Sequence, residues 1–275
     1  MGELACHLSG DGTLTISGQG EMSWSRREGD SNWLEYSEAI QAVVIESGVT
    51  SIAEGAFKDC IHLKSAVIPD GVRSIEKDAF RDCGALKELV IPDSVQYIGE
   101  SAFSGCREMT SITLPAGMTR IYPRTFEGCS NLESIVIPEN VARIDEYAFN
   151  SCGIRSITLP DGLQVFMESA FIRCRRLESV VIPNGVKNIA KGAFALCSSL
   201  TSVTFIGQEA FANCSLTHIV IPKNVTWISW HAFSQTNLTY AVLPAALTNL
   251  DRDAFDKCFN LKDVYFAGTE EQWRR

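Results

Sequence analysis

Nine of the ten cysteines stand three residues after a phenylalanine: Cys60, Cys83, Cys106, Cys129, Cys152, Cys174, Cys197, Cys214 and Cys258. Thr236 fills the tenth such place, and Cys6 lies outside the series. A column of thiols could serve as a disulfide ladder or a thiolate metal strip, but both need side chains that face each other or converge on an ion. A residue recurring at one structural position points the same way in every copy, and no Cys-x-x-Cys occurs. Free, buried thiols that fill space are therefore expected, and a small Thr236 would fit the same slot and bond the local backbone. His7, His62, His218 and His231 are the only histidines, and none lies in a Gly-x-Ser-x-Gly, His-Glu-x-x-His or phosphate-loop context. Glu54, Glu100, Glu146 and Glu168 share a register with Lys77 and Lys191, which describes a solvated face rather than an acid/base pair. The expectation is a chain that is not an enzyme and holds neither metal nor cofactor.

The unusual aromatic residues suggest recognition instead. Trp227, Trp230 and the adjoining His231 occupy slots filled elsewhere mostly by Ser, Asn, Arg, Glu or Lys. Two further columns must project from a sheet. One is β-branched: Val44, Val67, Val90, Thr113, Val136, Thr158, Val181, Thr204, Val220, Val242, then Tyr265. The other runs Ala42, Ser65, Glu88, Ser111, Ser134, Ser156, Ser179, Ser202, then His218, Tyr240 and Asp263. Aromatic side chains combine large contact area with a polar handle, as interface anchors do. The candidate partner-binding residues are His218, Tyr240 and Tyr265 on the sheet, with Trp227, Trp230 and His231 forming a neighbouring patch on a different face.

These columns exist because the chain repeats. The anchoring residues Phe57, Phe80, Phe103, Phe126, Phe149, Phe171, Phe194, Phe211, Phe233 and Phe255 lie 23, 23, 23, 23, 22, 23, 17, 22 and 22 residues apart. Nine of the ten follow an alanine, Thr125 being the exception. In one unit Leu132, Ile135, Ile137, Val141, Ile144, Ala148 and Phe149 point inward. Ile135 and Ile137 alternate with Val136 as in a strand, and Pro138 ends it by withholding a backbone donor. The spacing predicts a strand of about four residues per coil. From Val141 to Phe149 it predicts a turn or 3₁₀ segment, too short for an independent helix. One coil cannot bury its own apolar side, so the coils must stack with their strands in parallel. The prediction is an α/β-type repeat solenoid with one parallel sheet and about eleven coils of 22–23 residues, about 50 Å long at about 4.8 Å per strand.

Residues 1–38 read as a β-hairpin cap around Asp11-Gly12, with Trp24 and Trp33 as apolar plugs over the first coil. Residues 39–268 form the solenoid, with a short irregular coil near 203–214 where Val203-Thr204-Phe205 passes directly to Ile206. Thr269-x-x-Gln272 starts a capping helix over 269–275 that reads as cut, implying a fragment of a longer chain.

At 275 residues, with 45% apolar and 21% charged residues, the chain can bury a core. Its net charge of −9 argues against nucleic acid. No apolar run is long enough to insert into a membrane, and the first residues lack a basic and apolar leader.

The unit Leu-x-Ser-Ile-x-Ile-Pro-x-x-Val-x-x-Ile-x-x-x-Ala-Phe-x-x-Cys resembles the BspA-like, or Treponema-type, leucine-rich repeats over residues 40 to 268. Pro69, Pro92, Pro115, Pro138, Pro160, Pro183, Pro222 and Pro244 stand where ordinary leucine-rich repeats continue toward Asn or Cys. The segment Ser9–Gly18 and the ending Gly268–Trp273 are similar to those that often flank such repeats. The resemblance implies a binding module of a bacterial extracellular or cell-surface protein, meeting a protein or glycan of host matrix or another bacterium; the chain is expected to be a monomer. The alternative is a structural spacer that presents another domain.

Overall fold

A computed structural model describes residues 4–22, 33–183, 186, 188–189, 192–200, 202–203, 211–221, 227–228 and 230–273. The chain winds as a parallel β-solenoid. About nine turns are complete, against the eleven expected. Residues 204–210 lie outside the described residues, and the last strand, Asp263–Phe266, has no further Ala-Phe corner after it.

The predicted strand column is present, with Ser65–Val67, Glu88–Val90, Ser111–Thr113, Ser156–Ile157, Ser179–Val180, Ser202–Val203 and His218–Val220, the coil between Ser111–Thr113 and Ser156–Ile157 contributing only a bridge from Val136 to Thr158. Each is only two to four residues long. Register keeps like opposite like: Ser111 lies against Glu88, Ile112 against Leu89 and Thr113 against Val90. Ile112 and Leu89 are buried while their neighbours are exposed, the alternation a half-buried strand requires.

A second column of strands was not expected. Ser74–Ile75, Tyr97–Ile98, Arg120–Ile121, Arg143–Ile144 and Val165–Phe166 pair in parallel in further sheets. Each offers a single inward residue, so no alternation exists for a sequence pattern to reveal. The prediction of one sheet is corrected on this point.

The Ala-Phe corner is a series of turns, one of the two forms that the spacing predicts. Residues two before and two after the phenylalanine are left-handed, as in Asp78 (φ 56°), Asp82 (φ 58°), Ser101 (φ 56°) and Ser151 (φ 58°). Short turns, such as Cys83 N–H to the Phe80 carbonyl at 3.2 Å, alternate with these residues. Each left-handed step swings an N–H out of the coil toward the next one. Asp78, Phe80 and Asp82 thus donate to the carbonyls of Glu100, Ala102 and Ser104 at 2.9, 2.8 and 2.7 Å. A left-handed non-glycine residue costs about 1–2 kcal/mol, which the inter-coil bonds must offset. Asp, Ser and Gly bear that conformation most readily, yet Arg124, Tyr147 and Leu196 adopt it too, so the ladder sets the backbone.

Behind the ladder the phenylalanines form one file. Phe103 and Phe126 lie 5.8 Å apart, Phe149 and Phe171 4.9 Å, and Phe171 and Phe194 5.0 Å, with near-parallel rings. The file continues from Phe194 to Phe211 at 5.5 Å and on to Phe233 at 5.8 Å. The Phe211 N–H reaches the Ala232 carbonyl at 3.0 Å. The short coil therefore leaves the corner intact, although its missing portion falls on residues 204–210, outside the described residues.

At the start, Leu4–Leu8 and Thr13–Gly18 form an antiparallel hairpin, and Thr13–Ile16 pairs in parallel with Ala42–Ile45 to begin the strand column. Gly12 is left-handed, and a Cβ there would sit 2.6 Å from the Ala39 carbonyl oxygen. Trp33 heads the aromatic file, 6.2 Å from Phe57, and its indole N–H donates to the Ala56 carbonyl at 2.8 Å. One side chain thus supplies both the ring and the N–H that a preceding coil would provide. Trp24, also expected as a plug, lies outside the described residues. At the other end Glu270–Trp273 is helical. Thr269 and Gln272 exchange capping bonds of 2.8 and 3.2 Å, the reciprocal box that the Thr-x-x-Gln spacing implied.

Replacing Trp33 by Phe keeps the ring but leaves the Ala56 carbonyl without its donor, and is expected to cost about 1–3 kcal/mol. Trp33→Ala, which removes the ring as well, is expected to cost about 3–5 kcal/mol. Denaturant midpoints measure both; a Trp33→Phe protein as stable as the parent would remove the indole bond from the account.

Candidate binding surface

The outward residues of the strand column form a continuous face. Val67, Val90, Val136 and Val181 are 56, 71, 80 and 71% exposed, beside the exposed Ser65, Ser111, Ser134, Ser156 and Ser179. Strand register then brings His218, Tyr240 and Asp263 into one row and Val220, Val242 and Tyr265 into the next. The His218 ring stacks on Tyr240 at 5.5 Å, and Tyr240 meets Tyr265 edge-on at 6.4 Å. All three side chains face solvent. The structure thus brings the three proposed sheet residues together: His218 and Tyr240 replace the small serines of earlier coils, and Tyr265 replaces a valine of the adjoining row.

Trp227 belongs to the second strand column, where it pairs in register with Asn249 and is exposed. Trp230 and His231 stand at the following corner, their rings 3.9 Å apart and nearly perpendicular. The Trp230 indole donates to Asp253 of the next coil at 3.2 Å. His231 is left-handed (φ 53°), with Nδ1 3.8 Å from an Asp256 oxygen. These residues occupy a second patch separate from the sheet file, and Trp230 is already engaged in joining two coils. His218 Nδ1 lies 3.3 Å from the Thr217 hydroxyl, whereas His231 neighbours a carboxylate. Among the described contacts neither histidine joins a hydroxyl and a carboxylate as a nucleophile–base–orienter set requires.

A third cluster escaped the sequence reading. Arg120 and Arg143, paired in neighbouring short strands, both donate to Asp145, whose side chain is fully buried. This bonding holds the Arg120 guanidinium charged, above its ordinary range. Arg120 also covers the Tyr122 ring at 4.7 Å, Tyr122 meets Tyr97 edge-on at 4.9 Å, and Arg124 covers Tyr147 at 4.8 Å. The available signal was the pair Arg120-Ile121-Tyr122 and Arg143-Ile144-Asp145 one repeat apart, which only the second strand column brings side by side.

The thiols have a specific role in the corner. Cys83, Cys106, Cys129, Cys152, Cys174 and Cys197 donate to the carbonyl of the phenylalanine one coil earlier, at 2.9–3.2 Å. That carbonyl also accepts the backbone N–H three residues on, so both of its lone pairs are used. Thr236 instead bonds its own coil's Phe233 carbonyl at 2.9 Å. Burial pushes the thiols of Cys60, Cys129 and Cys214 up to about 12, and those of Cys83, Cys106, Cys152 and Cys197 well above their ordinary value. The nine cysteines of the column are free thiols, and no metal-ligating group of three comes together among the described residues.

A parallel solenoid with these inward columns and Ala-Phe corners defines a class, and comparison with known proteins identifies it. The BspA type leucine rich repeat region, in six copies, matches residues 30–152, 119–206 and 201–273. The chain belongs to this family, whose members are generally non-enzymatic and typically bind proteins. A leucine-rich cell surface protein from Faecalibacterium prausnitzii is 24% identical over 98% of this chain and 95% of its own, with TM-score 0.54. A leucine-rich repeat protein from Bacteroides ovatus is 25% identical over 95% and 92%, with TM-score 0.52. The pneumococcal vaccine antigen PcpA is 18% identical over 86% and 64%, with TM-score 0.54. The comparison with curated proteins gave no match. No helix among the described residues is long and apolar enough to cross a membrane.

The buried thiols predict a pH dependence with a definite sign. Their stabilising effect is complete below the ordinary thiol value of 9.0 and is lost as pH rises toward about 12, because the unfolded chain ionises first. Each such thiol lowers stability by about 1.4 kcal/mol per pH unit inside that window. Urea midpoints should fall steeply above pH 9, and less steeply for Cys129→Ser, which keeps a donor but cannot ionise there. A flat or rising profile would contradict the burial.

Proposed function

We propose that this chain is a non-enzymatic binding module of a bacterial cell-surface or secreted protein, recognising a protein or glycan partner along the strand face of its solenoid. The observation that carries this reading is the solvent-facing file of His218 and Tyr240, in a row that earlier coils fill mostly with serine, joined by Tyr265 from the adjoining row that earlier coils fill with valine and threonine. The corner ladder gives these rings no structural duty, since the inward columns already hold the coils together. Rigid strands fix the rings in advance, so little ordering entropy is lost when a partner lies across them. The Tyr hydroxyls and the His ring nitrogens then supply hydrogen bonds at the edge of an apolar contact. Family membership and a surface-protein relative support the same setting. Trp227 extends the recognition surface around the edge of the solenoid, with Trp230 and His231 beside it.

Binding of the chain to immobilised host extracellular-matrix proteins, read by interferometry, tests this. Tyr240→Ala/Tyr265→Ala should weaken binding at least tenfold with an unchanged thermal midpoint, while Ser111→Ala/Ser134→Ala leaves it intact. Equal binding by the tyrosine double variant would remove the aromatic file from the site, and no binding to any matrix protein would remove this partner class.

A further inference from the structure

The earlier coils of the same face carry a different chemistry. Val67, Val90, Thr113, Val136, Thr158 and Val181 form an exposed β-branched stripe, far from the aromatic file in sequence. Three residues after the first five of these positions the chain turns, and there stand Asp70, Asp93, Ala116, Glu139 and Asp161 in successive coils; Asn184, three after Val181, lies outside the described residues. The turns stack directly. The Gly71 N–H reaches the Ser94 hydroxyl at 3.1 Å, the Ala116 N–H reaches Asp93 at 3.2 Å, and the Asn140 amide reaches the Ala116 carbonyl at 3.1 Å. A row of four exposed carboxylates therefore runs alongside the apolar stripe.

The two flanks of the face differ. On the opposite flank ion pairs form between coils: Arg155 lies 3.5 Å from Glu133 and 3.9 Å from Glu178, and Arg176 lies 3.5 Å from Glu133, while Lys64 donates to the neutral Gln41 amide oxygen at 3.0 Å. Among the described residues no cation pairs with Asp70, Asp93, Glu139 or Asp161, and only Asp93 accepts a hydrogen bond from a neighbouring turn. The acidic row is thus a one-sided, unneutralised border to an apolar strip, which favours a partner that brings both apolar and positive groups.

Spacing selects the shape of that partner. Coils succeed one another at about 4.8 Å, close to the 5.4 Å rise of one α-helical turn. A helix laid along the stack gains only about 0.6 Å per coil, about 3 Å over five steps, so its turns stay near successive valines and the carboxylates that flank them. An extended strand repeats its side chains about every 6.7 Å and drifts out of step within two coils. From Val67 to Val181 there are five coil steps, about 24 Å, the length of about 16 helical residues.

We propose that the strand face from Val67 to Val181 seats a basic amphipathic helix of a protein partner, its apolar side on the valine stripe and its Lys or Arg residues over Asp70, Asp93, Glu139 and Asp161. This rests on the strand face being the recognition surface, and it names the partner's chemistry. A coil-to-coil carboxylate row attracts cations at long range and fixes orientation, while the valines supply the buried area.

The probe is a synthetic 18-residue helical peptide with Leu at i, i+3, i+4 and i+7 positions and Lys flanking them, paired with a twin carrying Glu for Lys. Fluorescence anisotropy against the whole chain should show the Lys peptide binding at least tenfold more tightly than its twin, with affinity falling as salt rises. Asp70→Asn/Asp93→Asn/Glu139→Gln/Asp161→Asn and, separately, Val90→Ser/Val136→Ser should each weaken binding at least tenfold with circular dichroism and melting unchanged. Neutralising Glu21, Glu35, Glu38 and Glu46 should leave it unchanged. Equal binding of the two peptides, no binding of either, or an equal loss in that control would overturn the proposal. Tyr240→Ala/Tyr265→Ala should not alter peptide affinity; loss of matrix binding by that variant together with no binding of either peptide to the parent chain would leave the broader reading standing while this one falls.

Discussion

From Phe57 to Phe149 each coil of this protein hands three backbone N–H groups at its phenylalanine corner to the carbonyls of the next, and most other features follow from that transfer. The left-handed residues flanking the phenylalanine exist to aim those groups. Because the corners repeat in register, the phenylalanine rings between them must superpose into a file. Because each phenylalanine carbonyl retains a second lone pair, a thiol three residues further along in the next coil can donate to it. The spacing Phe-x-x-Cys is therefore a hydrogen-bond spacing as much as a packing one. At the first coil Trp33 imitates the missing neighbour with one ring and one N–H.

Much of this was legible in the residues. The 22–23-residue period, the inward Ile, Val and Phe positions, the hairpin at Asp11-Gly12 and the Thr269/Gln272 box were readable because each has a local signature. The second strand column was not, since Arg143-Ile144 presents one inward residue and no alternation. The corner was legible as a turn or 3₁₀ segment, but its left-handed residues were not, because φ signs are invisible where Arg124 or Tyr147 takes a conformation usually marked by glycine. The cysteines were correctly placed inside, but their donor role depends on a carbonyl in another coil, about 26 residues away, as for Cys83 and Phe57. Buried Asp145 was hidden for the same reason: its two arginines become neighbours only after stacking.

The candidate site divides similarly. The outward registers of His218, Tyr240 and Tyr265 follow from period-2 alternation, so the sequence could place them on one face. Their mutual stacking depends on side-chain rotation and appears only in three dimensions. The acidic row beside the valine stripe went unread because its members lie in turns, where sequence reading sees only punctuation. The family scaffold fixes inward columns through the ladder and leaves outward ones free to vary, which is how one fold can carry distinct surfaces along its length.

Backbone amide hydrogen exchange tests the corner ladder most directly. The account predicts that the Phe80, Phe103, Phe126 and Phe149 amides exchange as slowly as the strand amides around Ile112, while Phe255, whose N–H meets no carbonyl among the described residues, exchanges faster. Exchange of the four corner amides on the timescale of open turns, with the strands still protected, would contradict it.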